Sequence, residues 1–466
     1  MKIDPDQFKM FEIDQSLYDL QIDGVPVWER IRHVVYRRIN QKLGEGHAHK
    51  ETGSNTFDYI KGLSLLVKNI AVRNPFRSGS QDIIFISTGR RKKEGDGYWW
   101  NIYFDPIYEN CDLNYMHFEN SYNLKHRRPA RTRNLRYLDL ISYGGKLQTI
   151  LGVNTPNISE KSKRKLHHIE QEICDRFNVH LDVFNLVRSN LHVRNTQLWM
   201  YSQLLDQINP SVAVLTCSYG KETFIEACQR YQIPVVEFQH GIIYPEHFGY
   251  SYQGSRVKEL FPDYLLVWGD FWKDSVDYPI PDDHVITVGY PYLEQRKKQY
   301  KKVESKEQIL FISQGTIGKQ LSKFAVEVNK DPSINHNIVY KLHPGEYDRW
   351  QKEYPWLIDA DFKVIDDSDP PLYQLFAKSS VQVGVGSTAL YEGLCFDLDT
   401  YLYDCTEVKT LQALLDNGTA SLVSSTDELE SSLGQSTGQF DQERFFAPDA
   451  TDRVCKTLQE IVSRQP

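Results

Sequence analysis

Short apolar runs rich in β-branched and aromatic residues recur from residue 82 onward: DIIFIST (82–88), VAVLT (212–216), PVVEFQ (234–239), DYLLVWG (263–269) and DHVITVG (283–289). Helix-length stretches separate them, and their lack of polar alternation predicts strands buried on both faces of a parallel sheet. The polar, lysine-rich stretch EQRKKQYKKVESKEQ (294–308) cannot pack into a core; it marks a domain boundary and is expected to be partly helical. A second series follows: QILFISQ (308–314), NIVYKLH (337–343), FKVID (362–366), VQVGVG (381–386) and TYLYD (400–404). The fold class is therefore α/β, with two tandem Rossmann-like, doubly wound parallel-sheet domains. Ahead of them lies a helical extension, in which Val25, Trp28, Ile31, Val34 and Val35 form one stripe with arginines opposite. The expected division is 1–80 for the extension, 81–292 for the first domain, 293–308 for the linker, 309–445 for the second domain and 446–466 for a closing helix. That helix is amphipathic from Ala450 to Arg464, and Ser424 to Gly438 reads as loop.

Two such sheets leave a cleft between the carboxyl ends of their strands, where open α/β folds hold ligands. The 466 residues are 40% hydrophobic, enough to give each domain a core. A formal charge of −8 excludes a general attraction to nucleic acid or anionic membrane, so any polyanion must meet a local basic patch. The seven cysteines are odd in number, scattered, and never form a CxxC pair; this fits a reducing cytosol and argues against a zinc framework. The N-terminus lacks the apolar core of a signal peptide, and no later run spans a bilayer. A cytoplasmic location is expected, with any membrane contact peripheral.

The candidate chemistry follows strands. Lys341 and His343 end one, with Pro344 turning the backbone out of the sheet; a histidine there can donate to a donor phosphate, or simply order a turn. Gln314 and Gly315 end another. Gly384 and Gly386 form a turn into a helix opened by Ser387 and Thr388, whose free N–H groups suit phosphate, and Glu392 one turn on suits ribose hydroxyls. The plainer reading is a capped helix with Glu392 solvated. In the first half, Gln239-His240-Gly241 ends a strand before a loop carrying Tyr244, His247 and Tyr250. His240 is the candidate general base, since imidazole titrates near neutrality, and its alternative is a loop-ordering residue. Arg90 and Arg91 belong to a basic loop suited to an anionic acceptor, where Asp96 is a second candidate base. The run His126 to Arg136 suits acceptor phosphates or lipid headgroups, or is a solvated loop. Asp397-Leu398-Asp399 reads as a turn, and His47/His49 and His167/His168 lack metal-ligand spacing. Neither a GxxxxGK[ST] loop nor a GxSxG elbow occurs.

Taken in order, QHG (239–241), GYP (289–291), KLHP (341–344) and GST with Glu392 resemble the GT-B glycosyltransferases and relatives that build bacterial and archaeal surface polysaccharides. The resemblance extends over roughly 210–405 and covers capsule polysaccharide transferases, polysialyltransferase-like proteins and CDP-glycerol glycerophosphotransferases. It implies that His343, Ser387 and Thr388 contact the donor's phosphates and that His240 is the base. Glu94-Gly95-Asp96-Gly97 is a poor match to the acidic motif of the sialyltransferases, which leaves the donor open. The function so implied is metal-independent transfer of a sugar from a nucleotide-activated co-substrate, with no cofactor, to a hydroxyl of a surface-polysaccharide or lipid-linked glycan. A CDP-polyol phosphotransferase, a sugar-nucleotide 2-epimerase and a non-catalytic glycan- or nucleotide-binding subunit are the alternatives.

Overall fold

A computed structural model of the chain describes residues 3–43, 56–153, 155–252, 258–300, 307–435 and 440–464. The first sheet has seven strands: β1 (Ile83–Thr88), β2 (Tyr115–Asn120), β3 (Leu135–Tyr137), β4 (Val212–Thr216), β5 (Val235–Phe238), β6 (Tyr264–Val267) and β7 (Val285–Thr287). All pairings are parallel, in the spatial order 7-6-5-4-1-2-3. The second sheet has six parallel strands, β8 (Gln308–Ile312), β9 (Asn337–Lys341), β10 (Lys363–Ile365), β11 (Val381–Gly384), β12 (Asp399–Tyr403) and β13 (Ala420–Val423), in the order 10-9-8-11-12-13. Strand order reverses at β1/β4 in one sheet and at β8/β11 in the other, and crevices open at such switch points.

Burial on both faces explains why these strands lack polar alternation. Ile83 and Phe85 of β1 enter one core cluster, while Ile84 and Ile86 enter another on the opposite face. β2 breaks the pattern, because its buried His117 and Glu119 are satisfied internally. His117 bonds the Ser87 and Tyr108 hydroxyls, both at 2.8 Å, and Glu119 accepts from Arg91 at 2.5 Å. Sequence periodicity therefore passes over β2, as it does the short edge strands β3 and β13.

The extension holds helices α1 (Pro5–Asp14), α2 (Trp28–Lys42) and α3 (Thr56–Ala71). α1 and α2 share a core with α6 (Glu160–Phe177), the start of α7 (Val183–Ile208) and Phe248. The arginines expected opposite the apolar stripe are in part buried. Arg32 pairs with Glu12 at 2.5 Å, and Arg30 pairs with Glu226. A helix, Pro291–Tyr300, buries Tyr292 and Leu293 and then runs into the polar stretch that starts at Glu294, and a helix spans Thr426–Ser432 where loop was expected. The chain then returns to the first domain. Helix Ala450–Ser463 carries Cys455, which is disulfide-bonded to Cys111 behind α4 (Asp105–Asn110), a pairing that the scattered cysteines did not suggest.

Candidate active site between the two sheets

The loops after β1, β5, β8, β9 and β11 converge on one cavity of about 590 Å³. Arg90, Tyr103, His240, Gly241, Tyr244 and His247 line it from the first domain; Gln314, Lys341, His343, Pro344, Gly386, Ser387, Thr388 and Glu392 line it from the second. A Cβ placed on Gly241 would lie 3.7 Å from Thr388 Oγ1, so the two sheets face each other at contact range.

On the second sheet, Gln314 Nε2 donates to Gly386 O at 2.9 Å and ties the β8 loop to the β11 turn across the switch point. Gly386 adopts φ +63°, a left-handed turn that glycine enters without steric cost. Ser387 caps the seven-residue helix Thr388–Leu394, its hydroxyl accepting from Ala389 N at 3.3 Å. His343 Nδ1 accepts from Gly345 N at 3.0 Å, which puts the proton of the neutral ring on Nε2 as a donor. Glu346, fully buried, fixes this loop by accepting from His343 N at 2.8 Å and from the Tyr354 hydroxyl at 2.7 Å. Lys341 is buried, its ammonium donating to the Tyr347 hydroxyl and Asp367 O. Burial pulls its pKa down to about 8, against a partial offset from Asp367. Glu392 is buried rather than solvated and accepts from the Tyr373 hydroxyl at 2.7 Å.

On the first sheet, a quarter of the His240 side chain opens to the cavity while protein surrounds the rest. Tyr250 donates to Glu237 at 2.5 Å, so its oxygen is left to accept from His240 Nδ1 at 3.2 Å. The ring's lone pair then sits on Nε2, which takes the Tyr219 hydroxyl at 3.1 Å. Burial, with His247, Lys221 and Arg90 nearby, lowers the His240 pKa to about 3, and Glu237 is itself raised by burial. His240 is thus neutral at physiological pH, a weaker base than the near-neutral imidazole expected from the sequence, and is oriented by a Glu–Tyr pair beneath it.

Several expected residues lie elsewhere. Arg91 is buried between Glu119 and Asp105, at 2.5 and 3.5 Å, and presents nothing to an acceptor. Gln239 is buried, bonding Gly241 O at 2.9 Å and Trp268 N at 2.8 Å, and so shapes the β5 turn without facing the cavity. Asp96 is exposed in a bend outside the cavity lining, accepting from Tyr98 N at 2.9 Å. Tyr250 lies beneath His240, Gly384 packs under Ile312, and an added Cβ on Gly315 would face Arg349. In the run 126–136, His126 bridges Glu119 and Asp139, at 3.0 and 2.8 Å. His47 and His49 lie outside the described residues. Sequence reasoning missed Glu237 and Lys92. The Lys92 amine enters the cavity 5.4 Å from the Tyr292 ring centroid and 5.9 Å from that of Tyr373, its pKa lowered by burial against the pull of Glu392 and Glu94. Lys92 stands between buried Arg91 and Glu94 in one basic run, and no periodicity marks it out from its neighbours.

No family model matches the chain, and no curated protein matches it. Among solved structures, the UDP-GlcNAc 2-epimerase from Methanocaldococcus jannaschii is 13% identical with a TM-score of 0.49, covering 81% of this chain and 99% of its own. The UDP-N-acetylglucosamine 2-epimerase from Rickettsia bellii is 12% identical with a TM-score of 0.49, covering 82% of this chain and 96% of its own. The wall teichoic acid polymerase TagF, in one structure, is 11% identical with a TM-score of 0.44, covering 88% of this chain and 99% of its own. At scores this low the likenesses add nothing to the architecture that the chain's own two sheets establish.

Proposed function

We propose that the chain is a glycosyltransferase that moves a sugar from a nucleotide-activated donor to a hydroxyl of a surface-polysaccharide or lipid-linked glycan, working in the cytoplasm at the inner face of a membrane. The observation that carries this reading is the shared cavity, with an oriented neutral imidazole on one wall and Lys341, His343 and the Ser387–Thr388 turn on the other. In the proposed step the acceptor hydroxyl gives its proton to His240 Nε2, exchanging with Tyr219. The acceptor oxygen then bonds the anomeric carbon as the carbon–oxygen bond to phosphate breaks. The nucleotide leaves with the electron pair, and its new charge is met by Lys341, Lys92, the His343 Nε2 proton and the Ser387 and Thr388 backbone N–H groups. No cofactor enters this step. Glu392 is suited to the donor's hydroxyls, although it must share its carboxylate with Tyr373.

The test incubates the protein with candidate nucleotide sugars, with and without a glycan acceptor. Nucleotide release that needs the acceptor supports transfer, whereas a changed sugar formed from the donor alone would mean epimerisation. His240→Ala and Glu237→Gln are expected to lower kcat by roughly 10²-fold or more with donor KM little changed. His343→Ala should also cost orders of magnitude in turnover without unfolding, and full activity in the His240 or His343 variant would refute the assigned roles.

A further inference from the structure

Among the described residues, nine of the seventeen most exposed large hydrophobic side chains fall in two short segments, Ile60 to Val72 and Leu147 to Val153. On α3 they are Ile60, Leu63, Val67 and Ile70, a stripe at helical spacing that faces solvent. The opposite face, turned to the protein, carries Gly62 and Asn69 with Leu65 and Leu66 half-buried beside them. A Cβ on Gly62 would meet the Tyr143 ring at 3.0 Å, and Asn69 Oδ1 accepts from Leu140 N at 3.0 Å. The helix thus turns a second apolar stripe to solvent, where a helix that packs in water carries polar residues. The helix beneath it, α5 (Asp139–Ile150), extends the patch at its end with Leu147, Ile150 and Leu151, the last two 62% and 65% exposed.

Charge identifies the occupant. From Thr56 to Arg77 and from Asp139 to Val153 there are five cations, Lys61, Lys68, Arg73, Arg77 and Lys146, against two acids, Asp58 and Asp139, the latter buried and bonded to His126, in a chain of net charge −8. Arg136 extends this rim, donating to Arg77 O at 3.4 Å, and Arg73 donates to Leu135 O at 2.7 Å at the start of β3. A second copy packed face to face would set these cations against one another, because an isologous contact repeats the same surface. An anionic bilayer supplies both the hydrocarbon for the stripe and the charge for the rim.

We infer that the outward face of α3 with the end of α5 is an interfacial docking surface for anionic lipid. It gives a place on the molecule to the peripheral-membrane part of the proposed function and otherwise stands apart from the cleft. Lys68 and Lys146 reach headgroup phosphates while Ile60, Leu63, Val67, Ile70, Ile150 and Leu151 enter the acyl boundary.

The experiment is co-sedimentation of the full chain with phosphatidylcholine vesicles, with and without roughly 30 mol% phosphatidylglycerol, in the absence of donor and acceptor. Binding is expected only with the anionic lipid and should weaken as salt rises to about 0.5 M. Leu63→Glu with Val67→Glu, both at exposed positions, should lower the bound-to-free ratio at least about tenfold with an unchanged melting temperature, and Ile150→Asp with Leu151→Asp should do the same. Wild-type protein that ignores anionic vesicles, or binding that survives both double variants, would overturn the inference. So would light scattering that finds a dimer dissociated by those substitutions. Because no substrate is present, failure here leaves the cleft reading intact, and failure of the transfer assay leaves this one intact.

Discussion

Lys341 is an ammonium held close to losing its proton. Burial lowers its pKa to about 8, and the neighbouring Lys92 pushes the same way against Asp367 and Asp366. Below that pH the side chain is charged and attracts a donor phosphate; as pH rises through about 8 the proton leaves and the attraction goes with it. Donor affinity is therefore expected to stay level from about pH 7 to 8 and then to fall by up to about tenfold per unit, with one proton taken up on binding in that upper range. Calorimetric titration of the donor or its nucleotide in buffers of different ionisation enthalpy reads both effects, and Lys341→Met should flatten the profile at the weaker affinity. His240 behaves oppositely, since a pKa near 3 leaves it neutral across the same range. How far these residues can be read in advance follows from their backbones. His240 and His343 each follow a buried apolar strand and are legible because strand ends open on the cleft. Arg90, Arg91 and Lys92 sit in one basic run, and only the tertiary positions of Glu119 and Asp105 decide that Arg91 is buried while its neighbours line the cavity.

At the scale of elements, α1 and α2 brace the site. Arg32, buried on α2, pairs with Glu12 of α1 and donates to Phe248 O at 2.8 Å and Ser251 O at 2.9 Å, pinning the loop that carries His247 and Tyr250. Arg32→Met strands the Glu12 carboxylate in the core and leaves two carbonyls without their donor. A loss of about 3–5 kcal/mol in folding stability is expected, read from denaturant midpoints, together with a lower kcat as the Tyr250 contact with His240 loosens. Adding Glu12→Gln, which removes the stranded charge and keeps an acceptor for Trp28 Nε1, should recover part of the stability and little of the kcat, because the carbonyls stay unpaired. None of this was legible from the apolar stripe, which assigns arginines to water; a buried cation is recognised only when its anion is found. The strands divide in the same way. β1, β4 and β8 are apolar on both faces and announce themselves, while β2 hides because His117 and Glu119 find partners on β1, in the following loops and on Tyr108.

The whole molecule is joined twice between its sheets, once through Gly289 to Tyr300 and again where the chain returns through Phe445 to Ala447. The return segment is bonded at Trp272 Nε1 to Phe445 O and at Ala447 N to Trp268 O, both 2.7 Å. From it a stack of rings leads to the site: Phe446 on Trp268 at 5.7 Å between centroids, Trp268 on Tyr290 at 4.6 Å, and Tyr290 on Tyr103 at 6.2 Å. The Tyr103 hydroxyl then donates to His240 O at 2.7 Å. The crossing thereby sets where His240 stands relative to the second sheet, while most of the proposed donor-phosphate contacts lie on that second sheet. Gly289 is the test position, for it has φ +85° and a Cβ there would strike Ala447 O and the Ala450 side chain. Gly289→Ala should cost at least about 1–2 kcal/mol for the left-handed backbone alone, seen as a lower melting temperature. It should also lower kcat roughly tenfold or more, while the nucleotide Kd stays within about threefold, since a misplaced base slows the step without touching the phosphate contacts. If Kd weakens in proportion to kcat, the crossing shapes the donor pocket itself, and the separation of roles between the sheets fails.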